Sequence, residues 1–247
     1  MKALLIALAT LTLGLAPPAA GERESPGGHR AWSTAPLVLA APARTPEKKR
    51  AYAVAAMGDS LTDPKSHGGK YLEYLHERCP HSRFDSYGKG GNMVNQMRKR
   101  FARDVFGDGT KEKRPHYDYV IILGGIADIG SNETAGRTVA KIEGDLGQMY
   151  KIAHEHGTSV IAMTVPPWGG FIKYDDTRHA MTLELNDSIR HKPANVEHAV
   201  DIYPLLSCGD AKKLCPEYGW PDKLHWSKKG HDIVGRALYE AVFADCE

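Results

Sequence analysis

The sequence predicts a three-layer α/β/α sandwich built on a five-stranded parallel sheet. Two observations predict it. Five strand-like runs, at 52–57, 83–87, 117–123, 158–164 and 197–202, have strand length. Helix-like stretches separate them, and strands alternating with helices imply parallel pairing through crossover connections.

The elements follow in order. Residues 51–57, Ala-Tyr-Ala-Val-Ala-Ala-Met, read as a buried strand that stops at the turn beginning with Gly58. A helix is expected from Lys70 to Arg78, with Tyr71, Leu72, Tyr74 and Leu75 as its apolar side. The third strand carries Tyr119–Leu123. A long helix is expected from about Glu133 to His156, because Val139, Ile142, Leu146, Met149 and Ala153 recur at helical spacing, and Gly157 suits its C-terminal cap. The last helix is placed at 228–244.

With 247 residues, 42% of them hydrophobic, the chain can bury one sizeable core. Residues 1–20 read as a secretory signal peptide: Met1-Lys2, an apolar stretch through Ala16, then the small residues Ala19 and Ala20. Residues 21–50 hold four prolines and few core formers, which predicts an irregular extension or linker. Residues 51–247 form the expected catalytic domain. The expected location is secreted or periplasmic, with no stable membrane insertion after cleavage. A formal net charge of +2 gives no basis for a nucleic-acid partner. The 12 histidines are scattered and no Cys-x-x-Cys occurs, so neither a metal nor another cofactor is expected.

Chemistry concentrates in two places. Met57-Gly-Asp-Ser-Leu-Thr62 sets Ser60 between the first strand and the first helix, at the edge where α/β sheets form sites. Pro221-Asp-Lys-Leu-His225 places a carboxylate and an imidazole three residues apart. Asp222 can then hold the imidazole Nδ1–H while Nε2 takes the Ser60 proton. The Gly-x-Ser-x-Gly elbow is absent, because Thr62 fills its last position.

These blocks resemble the SGNH, or GDSL, hydrolases. Gly58-Asp59-Ser60-Leu61 matches the first block, Gly91 the glycine of the second, Gly125-Ile126-Ala127-Asp128 the third and Asp222/His225 the last. The resemblance implies a flavodoxin-like SGNH fold and ester hydrolysis by a triad of Ser60, Asp222 and His225. It also implies an oxyanion hole from the backbone N–H groups of Ser60 and Gly91 plus an asparagine amide. Ala127 stands at that asparagine's position, so the side-chain donor is missing and activity is expected to be weakened. Asp59 and Asp128 are read as scaffold for the loops.

The four cysteines, at 79, 208, 215 and 246, allow three pairings. In the implied fold the first and last helices lie on one face and end together, so Cys79–Cys246 and Cys208–Cys215 are expected. Trp168, Phe171, Tyr174, Trp220 and Trp226 fall near the active edge, and Trp168 and Trp226 are the candidate substrate-binding residues. The loop Asp63–Gly69 is short, with no lid-like insertion. The expected substrate is therefore a small-molecule or glycan ester with a short acyl group. A lipase, lysophospholipase or thioesterase of the same fold, or a catalytically silent binding protein, are the alternatives.

Overall fold

The computed structural model describes residues 49–246. The signal peptide and nearly all of the extension fall outside them. Chain order is β1 (Ala53–Gly58), α1 (Lys70–Arg78), β2 (Arg83–Gly88), α2 (Val94–Phe101), β3 (Tyr119–Leu123), α3 (Ile126–Ile129), α4 (Asn132–Ala135), α5 (Val139–Glu155), β4 (Ser159–Met163), α6 (Asp176–Arg190), β5 (His198–Val200), β6 (Ser207–Cys208), β7 (Asp210–Leu214) and α7 (Lys228–Leu238). Five strands form one parallel sheet in the order β2-β1-β3-β4-β5. The order reverses direction at β1, where the chain moves outward first to β2 and then to β3. Such a switch point opens a crevice at the carboxyl ends of the strands.

The central strands β1, β3 and β4 are apolar on both faces, and alternation divides their side chains between two cores. Ala55, Met57, Val120, Ile122, Val160 and Ala162 pack with α2, α5 and α6. Val54, Ala56, Ile121, Leu123, Ile161 and Met163 pack with α1 and α7. Each fully buried aliphatic side chain of this kind is worth about 1.5–3 kcal/mol over exposure. On the second face Cys79, after α1, is bonded to Cys246, near the chain end; Cys208 is bonded to Cys215.

The structure corrects two helices and adds a hairpin. The helix expected from Glu133 to His156 is two helices. Gly136 adopts a left-handed φ of 59° that closes α4, and the Thr138 hydroxyl accepts from Lys141 N to start α5. The last helix ends at Leu238 and widens into a looser turn over Tyr239–Phe243. A small antiparallel hairpin, β6–β7, follows β5; its polar sequence has no strand-like apolar run.

Candidate active site

β1 ends at Gly58, and the chain then folds tightly back on itself. Asp59 accepts from Leu61 N at 2.9 Å through its side chain, and its carbonyl accepts from Thr62 N and Asp63 N. The turn is packed so closely that a Cβ on Gly68 would sit 2.1 Å from the Ser60 carbonyl oxygen. Only glycine fits there. Ser60 is thereby fixed at the carboxyl edge of the sheet.

The other half of the site is a pinned loop. Trp220 N donates to the His225 carbonyl at 2.8 Å, and Lys223 N donates to the Trp220 carbonyl at 2.9 Å, closing a turn with Pro221 at its second position. Lys223 ends the turn with a φ of 64°. Asp222 Oδ1 accepts from the backbone N–H groups of Leu224 and His225, both at 3.0 Å, and Asp222 Oδ2 lies 2.6 Å from His225 Nδ1. Burial pushes the Asp222 carboxyl up, but these hydrogen bonds outweigh it and hold it below the usual carboxylate range. The second imidazole nitrogen, His225 Nε2, lies 3.0 Å from Ser60 Oγ. A hydroxyl, an imidazole and a carboxylate thus form one line, with the proton path that activates an alcohol as a nucleophile.

These residues line a cavity of about 500 Å³ together with Gly91, Ala127, Trp168, Phe171, Lys173 and Trp220. Among the described residues, neither Ser60 N–H nor Gly91 N–H has a protein acceptor. Two unclaimed donors therefore border the cavity beside the hydroxyl. The φ of 71° at Gly91 favours glycine; a Cβ added there meets none of the described atoms within 4 Å. Ala127 lies on α3 and brings only a methyl group.

Three interactions hold the loops in place. Asp63 accepts from Lys65 N at 2.9 Å, from Ser66 Oγ at 3.0 Å and from Gly90 N at 2.9 Å. Burial raises its pKa, but these donors prevail and lower it. Arg100 donates to the carbonyls of Tyr87 and Gly58 and to Asn92 Oδ1, tying together the ends of β1 and β2. Buried Asp128 accepts from Val94 N at 2.8 Å and from Arg137 Nε at 2.6 Å, while Arg137 also reaches Asp145. Burial raises the Asp128 carboxyl, opposed by the Val94 N–H and the Arg137 guanidinium. Of these groups only Asp128 is singled out by sequence motif; the others carry no local signal.

Two buried titratable groups sit close by. Among the described residues Asp59 Oδ2 has no partner, and burial pushes its carboxyl up to about 7. His231 Nδ1 is also without a partner among the described residues, and burial, with Lys70 nearby, pushes its imidazole down to about 4.

The aromatic expectations divide. Trp168 is buried at the cavity wall, with Nε1 donating to Thr182 Oγ1 at 3.0 Å. Phe171 and Trp220 border the opening. Tyr174 packs edge-on against Trp168. Trp226 is corrected as a substrate-binding residue: it is 2% exposed and turns into the α1–α7 core, against Tyr71 and His231. It follows His225 directly, and on this loop the next side chain points away from the cavity. Asn186 is buried, and its amide pairs with both backbone groups of Val165, the residue that follows Thr164 after β4. Among the described residues, no cluster of three or more His, Cys, Asp or Glu side chains could hold a metal ion.

Known structures share this architecture. A catalytic mutant of an acetylxylan esterase from Geobacillus stearothermophilus superposes with a TM-score of 0.62 at 20% identity, covering 81% of this chain and 99% of its own. A GDSL-like lipase from Bacteroides thetaiotaomicron gives 0.58 at 20% identity, over 76% and 86%. A lipase/acylhydrolase from Enterococcus faecalis gives 0.58 at 19% identity, over 76% and 94%. At these identities the likeness is one of fold. No curated protein matches the chain by sequence. The model of the GDSL-like lipase/acylhydrolase family matches residues 56–233, and the chain belongs to that family.

Proposed function

We propose that the protein is a secreted serine esterase that hydrolyses a carboxylic ester with a short acyl group, carried on a carbohydrate. The observation that supports this best is the line Ser60 Oγ–His225 Nε2–Asp222, with contacts of 3.0 and 2.6 Å, opening on one cavity. Ser60 Oγ attacks the ester carbonyl while His225 takes its proton. The tetrahedral oxyanion lies against the N–H groups of Ser60 and Gly91. Its collapse breaks the C–O bond, and His225 returns the proton to the leaving alcohol. Water, deprotonated by His225, then attacks the acyl-Ser60, and the carboxylic acid leaves as Ser60 regains its proton.

Two disulfides support an oxidising destination, in line with the signal-like residues 1–20. No helix among the described residues is long and apolar enough to cross a membrane. The short loop over the site and the open cavity favour a short acyl group over a long one. The acetylxylan esterase with the same fold supports a sugar as the alcohol. With Ala127 in place of a side-chain donor, the two backbone N–H groups carry the oxyanion, and turnover is lower than with a third donor.

Release of p-nitrophenol from p-nitrophenyl acetate, together with labelling by a fluorophosphonate, tests this reading. Hydrolysis and labelling at Ser60 support it. Absence of both in folded protein contradicts it, and favours a binding protein that has lost its chemistry.

A further inference from the structure

We propose that the alcohol part of the substrate is an acidic carbohydrate whose anionic group is held in a second cavity beyond Trp220. This rests on the esterase reading above and names its substrate class.

The second cavity measures about 520 Å³, a size suited to small ligands, and is lined by Gly170, Lys213, Leu214, Pro216, Trp220 and Lys223 among others. Trp220 borders both cavities and is 41% exposed, an unusual state for a residue of its size. Its free area offers a surface on which a sugar ring can stack between them.

The position of the cavity selects the alcohol side. His225 must protonate the leaving oxygen, so the alcohol leaves on the side of the imidazole. The turn from Trp220 to Lys223 carries Asp222 and leads directly to His225. Trp220, Pro221 and Lys223 of that turn all line the second cavity.

The charge selects an acid. The ionisable side chains lining the second cavity are both lysines, and Lys173 lines the first. Among the described residues Lys173 and Lys223 form no ion pair, and Lys213 has only a half-exposed pair with Asp210. Neighbouring carboxylates are already engaged: Asp176 with Lys212, Glu217 with Lys229 and Asp222 with His225. Lys223 is also held in place. It adopts a left-handed φ of 64°, and its stem crosses Gly170, where a Cβ would lie 2.8 Å from Lys223 Cδ. An ammonium set between the two catalytic members of the loop, with no described carboxylate paired to it, is placed for a carboxylate of the substrate.

The test uses the mature protein and three esters: p-nitrophenyl acetate, acetylated xylo-oligosaccharide and acetylated oligogalacturonide. The acidic oligosaccharide should have the higher kcat/KM. The ratio of acidic to neutral glycan should fall about 3- to 10-fold in Lys213→Ala/Lys223→Ala and by a similar factor in 0.5 M salt, as two exposed charge contacts would give. An equal or lower kcat/KM for the acidic glycan, or a ratio unchanged by the substitutions, overturns the proposal. Calorimetry of unacetylated oligogalacturonide on Ser60→Ala separates it from the esterase reading. Lysine-dependent binding there supports the acidic subsite even if no ester is cleaved. No binding overturns the subsite even if p-nitrophenyl acetate is hydrolysed. Binding of phosphatidylglycerol vesicles through the same lysines, without binding of oligogalacturonide, also overturns it.

Discussion

Asp63 accepts a hydrogen bond from the backbone N–H of Gly90 at 2.9 Å. The carboxylate sits three residues after Ser60, and the donor precedes Gly91. One buried side chain therefore sets the distance between the Ser60 loop and Gly91, the second oxyanion donor of the proposed mechanism. Replacing Asp63 with Ala should leave Gly90 N without its acceptor and let the two loops drift. An ångström of misplacement costs up to about 10²-fold in turnover, with an added stability loss of about 1–3 kcal/mol. Kinetics on p-nitrophenyl acetate should show the loss mainly in kcat, and Asp63→Asn, which keeps an acceptor oxygen, should recover part of it. An unchanged kcat in Asp63→Ala would remove this residue from the positioning of the site.

Ala127 gives a second expectation. An asparagine there adds a donor that acts on the transition state more than on the neutral ester. Ala127→Asn should raise kcat about 10- to 10³-fold with little change in KM. The check is kcat for both proteins on one activated and one unactivated ester. An equal or lower kcat on both would mean that residue 127 does not meet the oxyanion.

Stability should respond to pH through two buried groups of opposite sign. Asp59 keeps its proton up to about pH 7 when folded, against 3.8 for the ordinary group. Folding then binds a proton between those values, so its contribution falls as pH rises toward 7 and stays low above it. Asp59→Asn should therefore gain stability relative to the parent chain on going from pH 4 to pH 8. His231 is neutral when folded down to about pH 4, against 6.5 ordinarily. Its contribution is lost as pH falls through that window, and His231→Phe should reduce this acid sensitivity. Urea unfolding at several pH values reads both slopes.

The bridge from Cys79 to Cys246 spans 167 residues and joins the end of α1 to the segment after the looser turn that follows α7. Its removal by Cys79→Ser/Cys246→Ser should cost about 2–5 kcal/mol, and loss of the bridge from Cys208 to Cys215 should cost less. Denaturant unfolding of each double variant measures the difference.

The centre of the sheet was legible because β1, β3 and β4 are continuous apolar runs on which both faces must be buried, a pattern that survives without context. Ser60, Asp222 and His225 were legible because each sits in a short motif whose spacing has a chemical meaning. Asp63 and Arg100 were not, since Gly90, Tyr87 and Gly58, which they hold, lie on other segments; nothing local distinguishes them, or Lys173, from solvated charges. Trp226 misled for a related reason. Proximity to His225 in sequence says nothing about side-chain direction, and the loop turns this indole into the core against Tyr71. The break between α4 and α5 was masked because Val139 onward keeps the helical period that Gly136 interrupts.

The central claim is that Ser60 is a nucleophile driven by His225. The most direct measurement is mass-spectrometric mapping of the adduct formed with a fluorophosphonate on the parent chain, Ser60→Ala and His225→Ala. The account predicts a single adduct on Ser60 in the parent, none in Ser60→Ala and at least about 10²-fold slower labelling in His225→Ala. An adduct on another residue, or labelling of Ser60 at an undiminished rate without His225, would contradict it.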